Sequence, residues 1–196
     1  MKKENNKNLY QLTISYYGIG LAGKMTICSW LKKEESSFLS EEPQELLNLR
    51  PPISLDGIFI GQKSIKFKLF TASYHRNSKS MNWVIFKISD GIFFVFDSRV
   101  QTWELNLYAL KNLLKLYSKM EAIINNVSIN EIPLIILANK RDLDNIIEIS
   151  QIKRVLKAAK IKHVPIFEIV ATEGKNVKTS LIKMTSEILK RKKKNN

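Results

Sequence analysis

The order of residues predicts an α/β domain: a mostly parallel six-stranded sheet with one antiparallel strand and helices on both faces. Three observations carry this. Apolar, strand-like runs alternate with segments of helical spacing along most of the 196 residues. The first run leads into a glycine-rich turn that ends in Gly-Lys. A later run ends in Asn-Lys-Arg-Asp.

Taken in order, the strand-like runs are 12–17, 57–60, 65–70, 91–96, 133–138 and 164–170. They are short, rich in Ile, Val, Phe and Tyr, and bounded by polar or glycine-containing stretches. Segments 25–33, 103–127, 150–159 and 177–190 space their apolar residues as helices do. Runs 57–60 and 65–70 are separated only by Gly61 to Ser64, which is hairpin spacing and predicts the antiparallel strand. The long irregular stretch is 35–52, and a loop of that length in a compact domain is usually functional or mobile. Neither an internal repeat nor an interdomain linker interrupts the pattern.

The first turn reads Gly18-Ile19-Gly20-Leu21-Ala22-Gly23-Lys24-Met25-Thr26. Glycine, four residues, then Gly-Lys is the spacing of a phosphate-binding loop. Glycines let backbone N–H groups crowd around phosphate oxygens, and the following helix turns its positive end to the same anion. Lys24 is placed to reach the β- and γ-phosphates. Met25 breaks the pattern, because the residue after the lysine should be Ser or Thr, whose hydroxyl ligates Mg²⁺. Thr26 comes one residue late and points about 100° away on a helix.

The second signal is Asn139-Lys140-Arg141-Asp142 at the end of run 133–138. A carboxylate at Asp142 can accept from both the ring N–H and the exocyclic amine of guanine, a donor pair that adenine lacks. The Lys140 stem would cover the base, and Asn139 would tie this loop to the phosphate loop. Such a tetrapeptide arises easily by chance in a chain rich in Asn and Lys. Both motifs follow apolar runs, in the right order and separation, and together they are specific.

With these motifs, and with Leu55-Asp56-Gly57, Phe67-Lys68-Leu69-Phe70-Thr71 and Asp90-Gly91 through Asp97-Ser98, the chain resembles a Ras-like small GTPase. The resemblance is strongest to the prokaryotic MglA-type polarity GTPases and covers about residues 12–189. It implies a single P-loop NTPase domain over 10–190, between a basic disordered N-terminus at 1–9 and a basic disordered tail at 191–196. It also implies GTP or GDP as the bound nucleotide. A third contact is expected after run 164–170, where Ala171 matches the residue whose N–H meets the guanine carbonyl oxygen and Thr172 replaces the usual lysine. The 35–52 stretch would be the first switch.

Departures from the family pattern bear on mechanism. Tyr74 stands where relatives carry the γ-phosphate-sensing glycine, and His75 where they carry the glutamine that orients the attacking water. His75 is the one catalytic candidate; the alternative, an exposed loop histidine without a role, stays open. Thr71 stands where many relatives have aspartate, although the polarity family is similar to this chain in having Thr there; Ser54 is a weak candidate for the first-switch ligand, and with Met25 after the lysine no residue is assigned as a metal ligand. Mg²⁺ is a family cofactor whose site is degenerate here.

Net charge is +14, from 32 basic and 18 acidic residues, and much of it lies in Lys2, Lys3, Lys7 and the run Lys190 to Lys194. These ends suit a solvated tail or weak contact with an anionic membrane. They lack the interleaved aromatics of a base-stacking surface, so nucleic acid is not an expected partner. No run reaches the ~20 apolar residues of a membrane span. Cys28 is the only cysteine, which suits a reducing cytoplasm, and it is expected on the buried face of the first helix. Asp97 reads as a strand-end cap or a sheet-edge residue. Two function classes follow. One is a guanine-nucleotide switch or interaction module with weak or absent GTP hydrolysis. The other is a pseudo-GTPase that holds the nucleotide structurally as a constitutive protein-binding scaffold. The resemblance adds a protein partner on the switch face, of the roadblock-dimer type.

Overall fold

The central strand β1, Leu9–Gly18, is buried on both faces from Ile14 to Gly18. That is the mark of a strand in the middle of a covered parallel sheet. The computed structural model describes residues 9–35, 53–60, 63–73, 79–123, 132–161 and 163–194. Around β1 stand β2 (Ile53–Ile60), β3 (Lys63–Ser73), β4 (Gly91–Asp97), β5 (Leu134–Asn139) and β6 (Ile166–Glu168), in the order β2-β3-β1-β4-β5-β6. All neighbours pair in parallel except β2 with β3. The β2–β3 register shifts between Leu55 and Ile58, a bulge at Asp56-Gly57. That irregularity hides the first half of β2, which the sequence pattern places only at 57–60.

The helices are α1 (Lys24–Glu35), α2 (Lys79–Lys87), α3 (Trp103–Ile123), α4 (Ile149–Ala158) and α5 (Val177–Lys194). The connection β1–α1–β3 steps across the sheet in one direction, and those through α2, α3 and α4 step in the other. Right-handed crossovers therefore set α1 against one face and α2, α3 and α4 against the other. α5 packs beside α1. Helix α2 has no counterpart in the sequence reading. Its apolar cluster Trp83-Val84-Ile85-Phe86 is too short for periodicity to separate helix from strand. Ser89 ends it by donating through Oγ to the Ile85 carbonyl at 2.7 Å.

The core is aromatic where β1 meets β4. Tyr16 stacks on Phe93 with centroids 4.9 Å apart, and Tyr17 meets Phe86 edge-on at 5.3 Å. Every residue of β4 is buried. At the N-terminal edge of the sheet, Asp90 clasps β1: its carboxylate accepts from the Thr13 N–H at 2.8 Å, and its own N–H donates to the Thr13 carbonyl at 2.8 Å.

The expected boundaries at 10 and 190 shift outward. Leu9 already pairs with Ser64, and α5 continues through Lys194, so residues 191–194 are helical rather than a disordered tail. Lysine and arginine are good helix formers, and cations at a C-terminus favour the helix dipole. Glu187 holds Lys183 at 2.8 Å, and Lys192 reaches across to Asp90 at 2.8 Å. No helix among the described residues is long and apolar enough to cross a membrane.

Phe93→Ala would empty a fully buried site and strip the partner from Tyr16. The expected loss is about 3–5 kcal/mol, read as a lower denaturant midpoint at an unchanged slope.

Candidate nucleotide-binding site

The parallel strands of the sheet all end at one edge, and the sequence-predicted site residues lie on the loops that leave it. In open α/β sheets this carboxyl edge is where ligands sit. The phosphate-loop spacing of residues 18–24 connects β1 to α1, Asn139 ends β5 and residues 140–142 follow it, and residues 169–174 follow β6.

Asn139 joins the three loops. It is buried, its Nδ2 donates to the Ala22 carbonyl at 2.8 Å, and its Oδ1 accepts from the Ala171 N–H at 3.0 Å. Gly23 is pressed against the same side chain, at φ +97, and a Cβ there would collide with Asn139 Nδ2. So glycine at 23 serves the seam between loops as well as backbone conformation. The Ala171 N–H is thereby engaged with Asn139, a different partner from the base carbonyl that the resemblance implies. Thr172 beside it is exposed. Gly174, in the same loop, lies under the Trp30 indole, where a Cβ would overlap the ring. Trp30 is thus a packing residue that fastens α1 to this loop.

Lys24 opens α1 and is only 8% exposed. Its ammonium donates to the Gly18 carbonyl at 3.1 Å and to the Ile19 carbonyl. This holds one positive charge at the mouth of the loop, at the N-terminal end of α1. Burial pushes its pKa down to about 8. Cys28 packs one turn further along, fully buried; burial pushes its thiol up to about 12, so it carries no charge at neutral pH. Gly20 is exposed, and Leu21 is 87% exposed at φ 60, a left-handed conformation uncommon for leucine. Met25 is 39% exposed, and its Sδ accepts a hydrogen bond from Thr71 Oγ1 at 3.5 Å. Thr26 faces solvent.

Lys140 sits at φ 68 with its Nζ on Asp97 Oδ2 at 2.8 Å. Asp97 is more than the strand-end cap or edge residue that its position suggests. Its buried carboxylate also takes the Arg99 guanidinium, with Nη2 at 2.8 Å, and the Arg99 N–H at 3.1 Å. Burial alone would raise its pKa, but the hydrogen bonds from Arg99 and Lys140 outweigh it and hold the carboxyl below its ordinary value. Asn106 on α3 clamps the Asp97 backbone: Nδ2 donates to its carbonyl at 2.9 Å, and Oδ1 accepts its N–H at 3.2 Å. Arg141 turns away from the mouth, donating to Glu168 at 2.9 Å and to the Ile147 carbonyl at 2.7 Å. Asp142 alone of the tetrapeptide is exposed.

Sequence reasoning passed over Arg99, Asn106 and Arg141. The available signal was the polar Asp-Ser-Arg that ends the apolar run 91–96, since a charged pair beside a buried strand end is expected to have partners. Tyr74 and His75, and the switch stretch from 36 to 52, lie outside the described residues.

The model of the ADP-ribosylation factor family matches residues 2–188. The chain is similar to Mutual gliding-motility protein MglA of Myxococcus xanthus (strain DK1622), with 29% identity over 172 residues, 84% of this chain and 83% of the relative.

The depressed Lys24 value has a consequence for stability. The cost of burying its charge is fully present below about 8 and is relieved as pH rises toward the ordinary 10.5. Over that window the unfolded chain binds more protons, so stability contributed by this group rises with pH. The wild-type denaturant midpoint, measured without nucleotide, should therefore gain on that of Lys24→Met between the two values. A constant difference would contradict the buried charge.

Proposed function

The chain belongs to the ADP-ribosylation factor family, within the Ras-like small GTPases, and we propose that it binds a guanine nucleotide at this edge and acts as a switch or interaction module with weak or absent intrinsic GTP hydrolysis. The observation that carries the reading is the Asn139 seam. It ties Ala22 of the loop after β1 and Ala171 of the loop after β6 to the end of β5, where the tetrapeptide begins, and this supports a shared site that includes Lys24 and Asp142. In the proposed complex the ammonium of Lys24 leaves the loop carbonyls for the phosphates, which the buried charge favours because a polyanion there replaces a weaker partner. Asp142 reads the guanine N–H pair. Lys140, held by Asp97, lies along the base. Gly18, Gly20, Leu21, Ala22 and Gly23 present backbone, with Met25 and Thr26 at the helix start. Ala171 and Thr172 complete the rim.

Weak hydrolysis is inferred from residue types. Phosphoryl transfer is catalysed by positioning and charge stabilisation, and the usual parts are a metal hydroxyl, a phosphate-sensing glycine and a water-orienting glutamine. This chain offers Met25, Tyr74 and His75 instead. The scaffold reading, in which the nucleotide is structural and the partner surface constant, draws support from the contact between Met25 and Thr71. A partner on the switch face, of the roadblock-dimer type, and weak anionic-membrane contact through the basic ends belong to this proposal.

Protein purified from cells and denatured should release GDP or GTP, resolved by ion-exchange chromatography. Asp142→Asn should lose guanine preference, so that ATP competes as well as GTP does. Release of adenine nucleotide by the wild type would refute the reading. Single-turnover hydrolysis of bound GTP should fall below the ~10⁻⁴ per second of unassisted Ras. His75→Ala should slow it further only if that histidine orients water.

A further inference from the structure

Magnesium beside nucleotide phosphates asks for hard oxygen ligands in near-octahedral geometry, at about 2.0–2.1 Å. In P-loop proteins the Ser or Thr after the loop lysine gives one, and an aspartate at the end of a neighbouring strand helps to hold the ion. This chain has Met25 at the first position and Thr71, near the end of β3, at the second. A thioether is a soft donor with little affinity for so hard an ion. Thr71 is neutral, and its hydroxyl proton points to Met25 Sδ at 3.5 Å. The two positions that would flank the ion are engaged with each other. Thr26, the nearest other hydroxyl on α1, lies about 100° around the helix. Among the described residues, those at the phosphate loop and the end of β3 do not fit the ion.

We propose that this chain holds its guanine nucleotide without a divalent cation, and that the Met25–Thr71 contact replaces the metal as the link between the phosphate-loop helix and β3. The inference rests on the guanine-nucleotide reading above. Lys24 and the loop N–H groups then supply the positive environment of the phosphates. The Lys24 charge is well placed for that work, because burial and two carbonyl partners keep it at the loop mouth. A site of this kind releases nucleotide no faster when metal is stripped. The usual coupling is absent: a chelator opens a metal-dependent site by removing a counter-charge, and here that counter-charge belongs to the protein.

The test is a titration of the full-length chain with fluorescently labelled GDP, in buffer with magnesium chloride and in buffer with EDTA. Wild-type affinity and release rate should be the same in both. Met25→Thr restores a hydroxyl at an exposed position and should create metal dependence, with affinity falling about tenfold or more on chelation, roughly 1.4 kcal/mol. Thr71→Val, which removes the contact but adds no ligand, should stay insensitive to the chelator. A wild-type loss of about tenfold on chelation would overturn the proposal. Failure to bind labelled GDP in either buffer would instead overturn the nucleotide reading, and this inference with it.

Discussion

A single buried amide, that of Asn139, is the constraint on which the site depends. Its two polar ends are both satisfied, one by the Ala22 carbonyl and one by the Ala171 N–H. A buried amide left half-bonded would cost about 1–3 kcal/mol, so the two loops are held at fixed distances from β5. Gly23 must then be glycine because the amide fills the space that its Cβ would need. The phosphate loop, the guanine loop and the loop after β6 are in this sense one structure built on one side chain.

A second layer of charge supports it from beneath. Asp97 is a buried carboxylate at the end of a strand with no exposed face, and such a group persists only when paired and hydrogen-bonded. It takes Lys140 and Arg99, while Asn106 fixes its backbone. Arg141 ties the other side of the same loop to Glu168 and the Ile147 carbonyl. Adjacent residues of the tetrapeptide are thus divided by direction. Asn139, Lys140 and Arg141 are braced inward, and Asp142 is left exposed.

The phosphate side is built differently. It relies on one desolvated ammonium and on backbone, with a methionine where the chemistry of phosphate transfer would favour an oxygen. Desolvation makes Lys24 an uneasy resident of the loop and so a strong attractor for an anion. The same departure that argues for binding without metal argues against efficient transfer, because the charge that develops on the phosphoryl oxygens has fewer fixed partners.

Local patterns determined much of this protein. Alternating apolar runs and helical spacing located the strands and most helices, and the spacing of Gly18, Gly23 and Lys24 and the tetrapeptide 139–142 located the loops, because both signals are carried by neighbouring residues. α2 and the first half of β2 escaped, the one for being short and the other for its bulge at Asp56-Gly57. The helical run at 191–194 escaped because a lysine block reads as solvated until Asp90, distant in sequence, is seen to meet Lys192. Only the tertiary structure decided which side chains face one another: Asn139 with Ala22, Lys140 with Asp97, Trp30 with Gly174, and Met25 with Thr71. These partners lie far apart along the chain, and only the strand order of the sheet with the helices packed on it brings them together.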